Sequence, residues 1–324
     1  MNIKYSAITT ALSLAVVSGL ANAAIVSTWD YTTQLKFGTG NNGGDAAVFD
    51  DGGNSGVTFN SESELSWGLG SSFTSNGITA NDGGRSALTI GNIVNDKTLQ
   101  GGAATTSSVN TSSLNSIPNP FDGELGFGNT LTHWNNVVDG SSKILTEGTF
   151  IDTLTLTPIL PTSLAGDPIT DPVIPTLTFD FGFKETYNVT PCEAGVGGKC
   201  DDIWAIRALS AADLTQHFEY LGQEYRITTF VYEIDLSGIT DLNDLDPVVL
   251  AASATELELL TPAQCAAAGY TGELCVGLMT KEKQTNSIGF AFSVAAVPVP
   301  AAVWLFGTAL LGFVGYTRKK ASKA

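Results

Sequence analysis

The sequence predicts a mainly β fold: two antiparallel sheets packed face to face as a β-sandwich or jelly roll, with one or two short helices. Three observations point there. Four segments alternate apolar and polar residues with period two, the pattern of a half-buried strand. Between them lie stretches dense in Gly, Asn, Ser and Asp at 38–57, 75–86 and 101–120, which read as turn-rich surface loops. Helix start signals occur convincingly only twice.

In the first row Trp29, Tyr31, Thr33, Leu35 and Phe37 share one face, and Asp30, Thr32, Gln34 and Lys36 take the other. The second places Leu177, Phe179, Phe181 and Phe183 opposite Thr176, Thr178, Asp180 and Gly182. In the third, Phe230, Tyr232, Ile234 and Leu236 oppose Val231, Glu233 and Asp235. Ile288, Phe290, Phe292 and Val294 form the last. Four such rows can bury a common core between two sheets. A Pro-rich stretch (Pro158, Pro161, Pro168, Pro172, Pro175) reads as an extended hairpin connection, with a split into two domains there as the alternative. Ser210 can cap a short helix through Asp213. Thr261-Pro262-Ala263-Gln264 is a capping box with Pro at N1, and that helix should end near Gly269. No fixed-period repeat suggests a solenoid or propeller.

The 324 residues are 43% hydrophobic and only 15% charged, against about 25% charged in ordinary soluble proteins. Five of the fifteen cations sit in the two chain ends, which leaves ten against thirty-two acids in the body, a net −22. Such a body repels phosphate backbones, so nucleic-acid binding is excluded as a main role.

Residues 1–23 read as a signal peptide. Lys4 is followed by an apolar stretch from about Ile8 to Leu20, and Ala21 and Ala23 put small residues before a cut ahead of Ala24. Export makes the four cysteines readable as two local staples, Cys192–Cys200 and Cys265–Cys275, each closing a Gly-containing loop. At the other end, Val297, Pro298, Val299 and Pro300 form a strip that two prolines keep extended. Residues 301–317 then form an apolar stretch at the short limit for a spanning helix, and the basic tail 318–324 begins with Arg318, Lys319 and Lys320. By the positive-inside rule those cations stay cytoplasmic and the body, 24–296, lies on the far side.

VPVPAAVWLFGTALLGFVGYTRKK resembles the PEP-CTERM sorting domain of Gram-negative bacteria in its VPxPA subtype, with Val299 where the common form has Glu. The resemblance covers 297–324 and implies recognition by an exosortase, loss of the tail, and release or attachment at the cell surface. Within LTHWNNVVDG, Thr132, His133 and Asn135 resemble the signature of the THxN family of PEP-CTERM proteins. That family implies the same architecture and destination and carries no established activity.

The body itself shows no G-x-S-x-G elbow, H-E-x-x-H helix or phosphate loop, and only two histidines occur. His133 reads either as a ligand or acid/base, or as a turn anchor with Asn135 that holds Trp134 in the core. No catalytic residue and no metal ligand is assigned. Asp241, Asp244 and Asp246, and Asp50-Asp51 with Gly52-Gly53, are loose calcium loops without EF-hand spacing; solvated loop charge is the competing reading. Two functions follow. One is a non-enzymatic cell-surface or matrix protein, partnered in export by signal peptidase and exosortase and outside by exopolysaccharide. The other is a secreted carbohydrate-binding or glycan-active protein, which would show two carboxylates in a cleft flanked by exposed aromatics.

Overall fold

A computed structural model describes residues 25–50, 56, 58–69, 84–113, 125–159, 172, 174–186, 201–207, 214–234, 236, 239, 241–244 and 254–297. The signal peptide with Ala21, Ala23 and Ala24, the Cys192–Cys200 loop, the expected helix at Ser210, and the tail from Pro298 onward lie outside the described residues, as do Asp51, Gly52, Gly53 and Asp246.

The described chain is mainly strand. In order these are β1 (Thr28–Phe37), β2 (Val48–Asp50), β3 (Phe59–Asn60), β4 (Glu64–Gly68), β5 (Arg85–Gly91), β6 (Thr105–Ser113), β7 (Gly126–Trp134) and β8 (Ile144–Ile159). They continue with β9 (Leu177–Lys184), β10 (Asp202–Arg207), β11 (Thr215–Tyr220), β12 (Gln223–Ile234), β13 (Ala254–Glu256), β14 (Glu258–Leu259), β15 (Cys275–Thr280) and β16 (Thr285–Ala296). One α-helix, α1 (Pro262–Ala267), is present among the described residues.

The strands form one large mixed sheet with two halves. One half runs β14-β15-β10-β9-β8-β1-β6; the other runs β3-β4-β5-β7-β16-β12, with β11 and β13 on the outer side of β12. The joint is β6, antiparallel to β1 and, over Thr111–Ser113, parallel to the end of β16. β8 and β9, on either side of the Pro-rich stretch, are direct neighbours, and β16 pairs with β7 and β6. The chain is therefore interleaved across that stretch and not divided by it.

The two halves share a core. Phe37, Phe150, Phe181 and Trp204 from the first half pack with Trp67, Leu88, Leu131 and Phe290 from the second. A second lobe gathers around Trp29, with Tyr220, Tyr225 and Phe292. Facing halves with a shared interior are consistent with a β-sandwich. Burying each such side chain stabilises by about 1.5–3 kcal/mol, so the aromatic rows supply much of what opposes chain entropy.

Three of the four alternating rows fill this interior as expected: Trp29 to Phe37, Phe179 to Phe183, and Ile288 to Val294. The fourth does not. Phe230, Tyr232 and Ile234 pack on the outer face of the second half, against Ile93, Leu99, Phe127 and Trp134, while Val231 faces the main core. In β12 the buried positions switch from odd to even numbers near Phe230, because the outer, even-numbered face gains cover there while the odd-numbered face keeps pointing inward. The segment 101–120 also departs from expectation, because its TTSSVNTSS is strand β6. Val109 alone gives it an apolar anchor opposite Trp29, and its Thr-rich backbone is held by β1 on one side.

The capping box at Thr261 forms as predicted: the Thr261 hydroxyl accepts from the Gln264 backbone N–H, and the Thr261 N–H donates to Gln264 Oε1. Cys265 and Cys275 are disulfide-bonded with their Cα atoms 5.7 Å apart, tying α1 to β15. The C-terminal end of α1 rests on Gly182 of β9, where a Cβ would run into the Ala268 carbonyl oxygen.

The ends of the strands define two ends of the body. At one, β7 and β9 finish, β10 begins, and β15 turns into β16. At the other, β1 begins, β6, β8 and β16 finish, and the β11–β12 hairpin turns.

Candidate functional site

The THxN residues stand at the first of these ends. Every residue of β7 is buried, because β5 covers one edge, β16 the other, and both faces are packed. Thr132 and Trp134 point outward, to the face where Ile93, Leu99 and Tyr232 pack; the Thr132 hydroxyl bonds Ser287 Oγ (3.0 Å) and Trp134 Nε1 donates to Thr89 Oγ1 (2.7 Å). Leu131 and His133 point inward. Asn135 closes the strand: its side-chain amide donates to the Thr280 carbonyl (2.8 Å) and its backbone N–H to that of Gln284 (3.0 Å). Asn135 is thus the side-chain-to-backbone anchor the sequence suggested. His133 is not.

Instead, the His133 ring stacks on Trp67 (centroids 6.2 Å apart) and meets the edge of Phe183 at 5.0 Å. Its Nε2 lies 3.6 Å from Asp202 Oδ2, and neither ring nitrogen makes a hydrogen bond. Burial pushes its pKa down to about 3, so the ring is neutral. At that distance and charge the contact is a close approach, not an ion pair.

Asp202 and Glu185 complete the cluster. Both are buried, one at the start of β10 and the other just after β9. Trp67 Nε1 donates to Glu185 Oε2 (2.7 Å), and the Thr186 N–H donates to Asp202 Oδ1 (2.9 Å). The remaining oxygens, Glu185 Oε1 and Asp202 Oδ2, are buried without a hydrogen-bond partner. Burial above all raises both pKa values; for Asp202 the neighbouring Glu185 charge adds to it, and Glu282, from the β15–β16 turn, pushes both the same way. Burial outweighs the opposing Lys184 charge on Glu185, so both carboxyls hold protons more tightly than free ones.

Chemically, this arrangement holds a proton and locks strands together. It has little room for a substrate, because His133, Glu185 and Asp202 are each at most 2% exposed. Among the described residues no group of three His, Cys, Asp or Glu is placed to hold a metal ion. Asp241 Oδ1 accepts from the Asn243 N–H and side-chain amide, the bonding of a turn cap at the 3-10 segment Leu242–Asp244. Asp50 ends β2, opposite Ile144 of β8.

Trp67, Glu185 and Asp202 were not singled out by sequence. In retrospect Glu185 follows directly on the Phe179–Phe183 row and Asp202 opens DIWAIR, but thirty-two acids give no reason to choose these. At the opposite end, Val297, first residue of the sorting strip, is held by the fold: its N–H donates to the Glu224 carbonyl (2.8 Å) and its carbonyl accepts from Gln223 Nε2 (2.6 Å). No helix among the described residues is long and apolar enough to cross a membrane. No protein-family model matches the chain, and no curated protein matches it significantly.

Proposed function

We propose that this is a non-enzymatic exported protein of the Gram-negative cell surface or matrix. It is a jelly-roll-like β-sandwich delivered by the signal peptide 1–23 and sorted through residues 297–324 by an exosortase-type enzyme. Its partners are signal peptidase and exosortase during export, and exopolysaccharide outside is the candidate partner thereafter. The Cys265–Cys275 disulfide supports an oxidising destination, and Cys192–Cys200 is proposed as a second staple.

The observation that carries the non-enzymatic reading is the burial of the motif. Asn135 ties the end of β7 to β15, the His133 ring is packed between Trp67 and Phe183, and the Glu185 and Asp202 carboxyls beside it are buried in the core. A retaining or inverting glycosidase needs its carboxyls about 5–10 Å apart with a sugar between them. Trp29, Trp67, Trp134 and Trp204 are all buried, which also takes them away from any sugar-stacking role. The test is to incubate purified body with the producer's exopolysaccharide and a panel of glycans. No new reducing ends are expected. Hydrolysis that His133→Ala abolishes in a folded protein would reverse the assignment.

A further inference from the structure

The two chain ends of the body leave it at the same place. The Val26 N–H donates to the Tyr225 hydroxyl (2.8 Å), and Tyr225 pairs with Ala296 in the β12–β16 ladder. One residue therefore neighbours both the first turn after the signal peptide and the last before the sorting strip. Only Pro298, Val299 and Pro300 separate the clamped Val297 from the apolar stretch. A fully extended chain covers at most about 3.6 Å per residue, so Val297 lies within roughly 14 Å of Ala301. The headgroup layer on each side of the hydrocarbon is about 5–8 Å thick. Even fully extended, the tether keeps this end of the body within roughly 10 Å of the headgroup layer.

What this end presents is apolar. Ile25, Ile159 and Leu221 are 58%, 43% and 47% exposed, and all three belong to it: Ile159 pairs with Thr28 at the start of β1, and Leu221 tips the β11–β12 hairpin. Leu221 is also in the wrong place for folding alone. It and Gly222 both have positive φ (51° and 76°), the two-residue turn in which Asn-Gly is favoured and a leucine is strained. An exposed leucine held in a strained turn has a use outside the fold.

We infer that, before the tail is cut, this end of the body seats on the periplasmic face of the inner membrane, with Ile25, Ile159 and Leu221 in the bilayer interface. The inference rests on the reading of 301–317 as a spanning helix. Glu219 and Glu224 on the same hairpin disfavour anionic lipid, so zwitterionic headgroups are the partner. The THxN cluster then points away from the membrane.

The test reconstitutes the full chain in phosphatidylcholine vesicles containing brominated lipid. A dansyl amino acid is placed singly at Leu221, at Gly307 in the tail, or at Val137, which is 40% exposed at the opposite end. Quenching at Leu221 and Gly307, with none at Val137, is the expected result. Quenching at Gly307 with Leu221 as unquenched as Val137 overturns the docking and keeps the tail reading. No quenching at Gly307 overturns both. Leu221→Asn, with the probe at Ile159, should at least halve the quenching while leaving the unfolding midpoint unchanged or higher. Unchanged quenching there would also overturn the inference.

Discussion

Trp67 Nε1 donates a 2.7 Å hydrogen bond to Glu185 Oε2, from β4 in one half of the sheet to the chain leaving β9 in the other. It is a buried polar tie between the two halves, beside the Asn135 bond to the Thr280 carbonyl and the Tyr31 hydroxyl bond to the Phe127 carbonyl. Trp67→Phe should leave a buried acceptor without its donor and cost about 1–3 kcal/mol beyond the lost ring area. Paired with Glu185→Leu, which removes the acceptor too, the loss should shrink. A urea double-mutant cycle with a coupling below about 0.5 kcal/mol would contradict this role.

Stability should depend on pH in two opposed ways. In the folded protein Glu185 and Asp202 keep protons that unfolded carboxyls release near pH 4. Above that pH the folded state binds more protons, so stability falls as pH rises. Glu185→Gln should flatten this decline in urea titrations between pH 5 and 8. An unchanged slope would show the pair ionised in the fold.

His133 works from the acid side. Its folded pKa of about 3 lies below the ordinary value near 6.5, so the unfolded state takes up the extra proton between those limits and stability falls as pH drops. His133→Phe keeps a ring against Trp67 and Phe183 and cannot be protonated. It should therefore gain on the wild type as pH falls from 6.5 to 4, whatever its offset at pH 7.5. Parallel curves for the two proteins would count against a buried neutral histidine.

Gly182 and the neighbouring disulfide govern one corner. Gly182→Ala should unseat α1 from β9, since the clash is with backbone and cannot be relieved by a rotamer; the Tyr270 hydroxyl bond to the Asp180 carbonyl (3.0 Å) would go with it. Removing the Cys265–Cys275 link should cost about 2–3 kcal/mol, the value for a loop of roughly ten residues. Hydrogen exchange should show both effects concentrated at α1, β14 and β15. Protection lost evenly across the sheet would mean the corner is not a separate unit.

Where a strand carries its own evidence, sequence was enough. Trp29 to Phe37 alternates cleanly because one face of β1 meets the core and the other meets water. The capping box at Thr261 was equally local. β6 was hidden because only Val109 marks its buried side, and its neighbours β1 and β16 come from distant parts of the chain. The Phe230 row has the right period, but which face of β12 it occupies depends on the cover supplied by Ile93, Leu99 and Trp134. The polar cluster was least legible. His133 sits in a readable motif, whereas Trp67, Glu185 and Asp202 converge on it from β4, β9 and β10 through long-range packing that no spacing encodes.

The central claim is that the chain is exported and loses its tail on the way to the surface. An intact mass of the protein taken from the native cell surface or medium, before and after reduction, tests it most directly. The account predicts a chain that starts at Ala24, ends upstream of Trp304, and gains two hydrogens for each of two staples on reduction. Mature protein that still contains Trp304 to Lys320 would contradict sorting and leave the tail as a simple anchor.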